Sequence, residues 1–105
     1  MAPVDLLGPE GTGPLWGTAS EDLNATLLVW PAGHVVAEHV NAELDVLLVA
    51  LQGSAAVTVD GREHALRADH ALLVPKGAAR TIRAGAGGVR YLSVHRRRGP
   101  LQIEP

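Results

Sequence analysis

Val46-Leu47-Leu48-Val49-Ala50-Leu51, Gln52-Gly53-Ser54, Ala55-Ala56-Val57-Thr58-Val59, Asp60-Gly61, Glu63-His64-Ala65-Leu66: this stretch decides the fold. Asp60-Gly61 stands between two short runs of strand length. Such a pair closes a two-residue hairpin because glycine accepts the positive φ that the tight turn demands. Upstream, the run from Val46 to Leu51 ends at Gln52-Gly53-Ser54. A helix over Ala42 to Leu51 competes, since its leucines fall on one helical face, but the β-branched content and the Gly53 stop favour strand.

The same rhythm continues outward. Thr26 to Trp30 is closed by Pro31-Ala32-Gly33, and Val35 to Asn41 follows. Beyond the hairpin come Ala71 to Val74 closed by Pro75-Lys76-Gly77, Arg80 to Arg83 closed by Gly85-Ala86-Gly87-Gly88, and Val89 to His95. Eight or so short strands with turns between them predict an all-β chain, a small antiparallel β-barrel or jelly roll. The first twenty residues hold Pro3, Gly8, Pro9, Gly11, Gly13, Pro14 and Gly17, a density that excludes a continuous helix. The organisation expected is an N-terminal arm over 1–22 with one short strand around Leu15-Trp16, a barrel over 23–98 and a tail over 99–105.

Composition narrows the function. The chain has 105 residues, 47% hydrophobic and 19% charged, enough apolar material for one domain and too little length for two. Cysteine is absent, which removes disulfides, thiolate metal sites and a cysteine nucleophile. Trp16, Trp30 and Tyr91 are the only aromatics, so the core must be aliphatic. No apolar run is long enough to cross a bilayer, and Met1-Ala2-Pro3-Val4-Asp5 lacks a signal-peptide pattern, so a cytoplasmic protein with no membrane partner is expected. A formal charge of −2 gives no general attraction to nucleic acid. Arg96-Arg97-Arg98 has no aromatic residue beside it to stack on bases, so no nucleic-acid partner is expected. Arginine outnumbers lysine eight to one, which reads as base-composition bias of a bacterial genome.

Gly33, His39, Gly53, Asp60-Gly61, Pro75 and Gly77, in this order and spacing, resemble the small single-domain cupin family from about Leu23 to His95. The family's first motif is Gly, five residues, His-x-His, three or four residues, Glu, six residues, Gly. Here Gly33 and His39 match, Asn41 stands for the second His, Val46 stands at the Glu position with Asp45 beside it, and Gly53 closes the motif. The second motif is Gly, five residues, Pro-x-Gly, two residues, His, three residues, Asn. Asp69 stands at its Gly, Pro75-Lys76-Gly77 is intact, Arg80 replaces the His and Ala84 the Asn. The resemblance implies a barrel whose inward His and Glu bind Fe, Mn, Ni or Zn. Only His39 keeps its type, and Arg80 puts a permanent cation where that metal belongs.

Residues two apart share a face of a strand, so the family register points His39 and Asn41 together into the barrel mouth. With Arg80 they form a pocket for a small polar or anionic molecule, the planar guanidinium suiting a carboxylate or phosphate. Alternatively Arg80 pairs internally with Asp45, Glu43 or Glu38. Tyr91, Ser93 and His95 share one face of the last strand, and if it is the inner one, Tyr91 and His95 join the pocket. A metal alternative then exists, with His39, His95 and either Asn41 or Asp45 as ligands of a dioxygenase or isomerase. A metal-free acid–base enzyme using His39, an isomerase or epimerase, is a third reading. No cofactor is expected on the first. His34, His64 and His70 read as surface residues.

Val46 to Leu51 is apolar on both faces, and a one-layer barrel covers only one. The other face needs the N-terminal arm or a second subunit. A homodimer through this strand and the arm is expected.

Overall fold

The computed structural model describes residues 2–97; Arg98 and the expected tail over 99–105 lie outside the described residues. Seven strands build one antiparallel sheet: β1 (Gly13–Ala19), β2 (Leu23–Trp30), β3 (Val35–Val40), β4 (Val46–Val59), β5 (Arg62–Arg67), β6 (Ala71–Val74) and β7 (Ala79–Arg96). Their order is β1-β2-β7-β4-β5, with β3 on β7 and β6 on β4. The described residues contain no helix long and apolar enough to cross a membrane.

Two expected pairs of strands are continuous. Val46–Leu51 and Ala55–Val59 are the halves of β4, and Arg80–Arg83 and Val89–His95 the halves of β7. Glycine marks bends here, not ends. Gly53 lies at φ 71°, and a Cβ there would collide with the Gly88 carbonyl; Gly88, at φ 76°, would meet the Trp30 carbonyl in turn. Backbone must approach that closely where both strands turn the corner of the barrel.

The bends also invert which residues face inward. β4 carries one extra residue, Leu51, between Ala50↔Tyr91 and Gln52↔Arg90, and β7 opposes the lone Ser54 with residues 85–88. An odd excess flips a strand's faces. Hence Ile82 and Ala84 are buried in the first half of β7, but Val89 and Tyr91 in the second. The core they join includes Val46, Leu48, Ala50, Ala55, Val57, Leu66 and Val74, aliphatic as the composition requires.

At the hairpin Asp60 (φ 49°) and Gly61 (φ 80°) are both left-handed, the geometry of a two-residue turn matched to strand twist. The turn at Asp69, made without glycine, holds its residue at φ 68°. β1 is longer than the expected Leu15-Trp16 strand and pairs along β2, so this part of the arm belongs to the sheet.

Candidate functional site

Register places the side chains. His39, Arg80, Val59 and Arg62 are successive partners across β3, β7, β4 and β5. The next inward row is Val36, Ile82, Val57 and His64. Ile82, Val57 and Leu66 are core residues, so Arg80, Arg62 and His64, two or four residues from a core position on their own strands, share the inner face. His39 and Arg62 are exposed at the rim, and Arg80 is half-buried between them.

Arg80 is the residue at odds with its surroundings. Its Nη1 is buried and, among the described residues, has no hydrogen-bond partner. Burial lowers the guanidinium pKa, and the nearby Tyr91 hydroxyl offsets this only in part. Tyr91, 4% exposed, has its own pKa raised by desolvation, against the Trp30 hydrogen bond and the Arg80 charge. The internal ion pair that would satisfy Arg80 is absent among the described residues. Asp45 accepts the Lys76 N–H at 2.8 Å, and Asp60 accepts the Ala79 N–H at 2.8 Å.

Behind Arg80 stands an aromatic chain. Trp30 Nε1 donates to the Tyr91 hydroxyl oxygen at 3.1 Å, which leaves the phenolic proton free to donate. The Trp30 ring stacks on His34 with centroids 4.1 Å apart and planes 8° from parallel. The stack fixes the indole and thereby the hydroxyl. His34 is therefore half-buried, as is His64, and of the three histidines expected at the surface only His70 is exposed.

The other expected site residues do different work. Asn41 lies just past β3, where its Oδ1 accepts the N–H groups of Glu43 (3.2 Å) and Leu44 (3.1 Å). It shapes the turn into β4. Asp45 is exposed beside Lys76. His95 is on the inner face, as the position of Tyr91 decides. Its Nδ1 meets the Arg96 carbonyl at 2.8 Å, so Nε2 is left to accept from Asn24 Nδ2 at 3.4 Å. Val46, at the family's glutamate position, is a core residue. Among the described residues no three His, Cys, Asp or Glu side chains are grouped so as to hold a metal ion. With Asn41 committed to its turn, valine at the carboxylate position and the Arg80 cation at the second motif's histidine position, these residues do not fit the divalent metal that the resemblance implies. No carboxylate hydrogen-bonds His39 among the described residues, the contact an acid–base role would use.

Sequence reasoning missed Trp30 and Arg62. Trp30 ends β2 two residues after Leu28, on the same face, and Arg62 alternates with Leu66. Both signals were present in the period-two pattern. A hollow of about 550 Å³ lies elsewhere, on the outer face over Ala56 and Ala65 between Arg67 and Arg83. Both arginines there are exposed, so an anion would gain only a solvent-screened attraction.

No protein-family model matches the chain, and no curated protein matches it. Solved structures do. KdgF from Halomonas sp. superposes with a TM-score of 0.74 at 20% identity, over 80% of this chain and 77% of that one. The cupin domain of Cnp3 from Schizosaccharomyces pombe gives 0.72 at 24%, over 77% of this chain and 61% of that one. A cupin superfamily protein from Desulfitobacterium hafniense gives 0.66 at 27%, over 77% and 71%.

Proposed function

The chain is a small protein of the cupin fold whose metal-ligand positions have been rewritten, and from that premise we propose that it binds a small anionic molecule at the barrel mouth without a metal. The observation that carries this is the buried, unpartnered Nη1 of Arg80. A charged N–H stripped of water and given no acceptor costs stability, and an anion at that point removes the cost. The second donor is the free proton of Tyr91. His39 lines the rim beside Arg80.

Thermal denaturation in chloride buffer with millimolar butyrate or inorganic phosphate tests the reading. A ligand that binds only the native state raises Tm through a stabilisation that grows as the logarithm of its concentration over Kd. Arg80→Gln is expected to abolish the rise. No shift with any anion in the native protein overturns the proposal. Elemental analysis of protein purified without added metal or chelator checks the metal-free part, which fails if near-stoichiometric transition metal is found and disappears in His39→Ala.

A second copy of the chain is the proposed macromolecular partner. Leu47 and Leu73 are cross-strand neighbours on the outer face, 38% and 55% exposed. They continue a band through the half-buried Val94 and Ala25. The N-terminal arm does not cover this end, since its Leu6 and Pro9 carbonyls are held over Arg90. A self-complementary apolar sheet face suits a twofold dimer. Light scattering is expected to give twice the chain mass, and Leu73→Glu to give the monomer; a monomer in the unsubstituted protein at micromolar concentration refutes it.

A further inference from the structure

We infer that the ligand is a linear molecule with two acidic groups, one held by Arg80 and Tyr91 and the other by Arg62 at the rim. This rests on the anion-binding reading above and goes beyond it by naming the charge and shape of the ligand.

The molecule is net negative, yet the inward positions around the mouth carry Arg80, Arg62, His39 and His64 and no acid. The acids nearby point elsewhere. Glu63 alternates with His64 and so faces outward, where it lines the shallow outer hollow with Arg67. Asp60 is bound to the Ala79 N–H in the hairpin turn, and Asp45 to Lys76. Neither arginine is ion-paired among the described residues. Two unpaired arginines on one inner rim repel each other, which a ligand of opposite charge relieves.

Spacing separates a two-headed ligand from a compact one. Arg80 and Arg62 both pair with Val59, one on each side of β4, so their backbones are two strand spacings apart, about 9.5 Å. Val59 lies between them, packed against the core, and gives the gap an apolar floor. One carboxylate or phosphate cannot reach both guanidinium groups at full hydrogen-bond length without drawing the two side chains together over this floor. An acid at each end of a short methylene chain spans the gap and lays its apolar middle on Val59. The two anchors are unequal: Arg80 is desolvated and binds harder, while exposed Arg62 selects for the second charge.

The experiment is titration calorimetry of the full chain with butyrate, glutarate and adipate in low-salt buffer. Adipate or glutarate is expected to bind at least tenfold more tightly than butyrate. Arg62→Gln is expected to bring the diacids down to the butyrate affinity and leave butyrate unchanged. Arg80→Gln is expected to remove binding of all three. Equal affinity for butyrate and the diacids, or diacid binding that survives Arg62→Gln, overturns this inference while leaving anion binding intact. Absence of binding by all three in the unsubstituted protein defeats the parent reading instead. Circular dichroism of the variants checks that Arg62, an exposed hairpin residue, is replaced without loss of fold.

Discussion

Arg80 and Arg90 occupy the same strand, on either side of its bend, and their fates differ. Arg90 faces outward, where its Nη1 and Nη2 donate to the Leu6 and Pro9 carbonyls at 2.9 and 2.8 Å, leaving only Nε without a partner. Arg80 faces inward with no acceptor supplied by the described chain. The first arginine is a structural clamp that ties the arm to the sheet. The second is, in the function proposed above, the anchor for an anion. The same residue type on one strand is thus tied down or left unpartnered according to whether local backbone offers it carbonyls. Counting arginines or noting a positive charge does not separate the two cases; accounting for each N–H does.

The largest effect expected from breaking this contrast comes from the bend that creates it. If β7 ran through 85–88 as a regular strand, the period of two would put Arg80 and Arg90, ten residues apart, on the same face. Gly53 packs against this bend at a φ no side chain favours. Gly53→Ala is expected to cost more than about 3 kcal/mol in urea unfolding, from left-handed strain plus the collision with Gly88. A loss below about 1 kcal/mol would show that the corner relaxes and that the inversion of faces does not depend on it.

Next in size is the clamp. Arg90→Met removes two charge-assisted hydrogen bonds and is expected to destabilise by about 2 kcal/mol. It should also speed proteolytic nicking ahead of β1, since nothing else described holds the Leu6 and Pro9 carbonyls. Anion binding at the mouth should be unaltered. The same substitution at Arg80 is expected to act with the opposite sign. Arg80→Met deletes a partly desolvated, unpaired cation and is expected to stabilise the ligand-free protein by about 1 kcal/mol, a figure reduced for the solvent that still reaches the side chain. The anion response should vanish with it. If Arg80→Met destabilises as Arg90→Met does, Arg80 is a second clamp and the contrast collapses.

How much of this was legible beforehand follows from what each residue has to do. Pro75, Gly77, Gly33 and the Asp60-Gly61 turn were readable because each acts through its own backbone angles, which the residue type announces. The continuity of β4 and β7 was not, since a glycine that bends a strand and one that ends it look alike until the partner strand is known. Arg80 was legible as an inward residue from its place in the Pro-x-Gly motif, and Tyr91 from alternation once a face was chosen. Asn41 misled because its parity with His39 holds only inside a strand. β3 ends at Val40, so the Asn41 side chain is spent on the Glu43 and Leu44 N–H groups. Trp30 escaped because its role depends on Tyr91, sixty-one residues away, and on His34, which follows it only through the turn.

The smallest expected effect isolates Tyr91, the group that links the two environments of β7. Desolvation raises its folded-state pKa above the ordinary 10, outweighing the Trp30 hydrogen bond and the Arg80 charge. In the window between the unfolded and folded values the unfolded chain has released a proton that the native protein keeps. Tyr91 therefore contributes stability that is fully present below about pH 10 and is lost as pH rises through the folded value. The loss is a fraction of ~1.4 kcal/mol per pH unit, the limit for one proton. Arg80 works the other way, because burial lowers the pKa of a base and its deprotonation would favour the native state, but only close to the alkaline limit. Urea midpoints measured from pH 8.5 to 10.5 should thus fall more steeply in the native protein than in Tyr91→Phe. Equal slopes would mean that Tyr91 ionises as freely in the folded state as in the unfolded one. The hydroxyl would then be open to water, which would count against the proposal that it is a preset second donor beside Arg80.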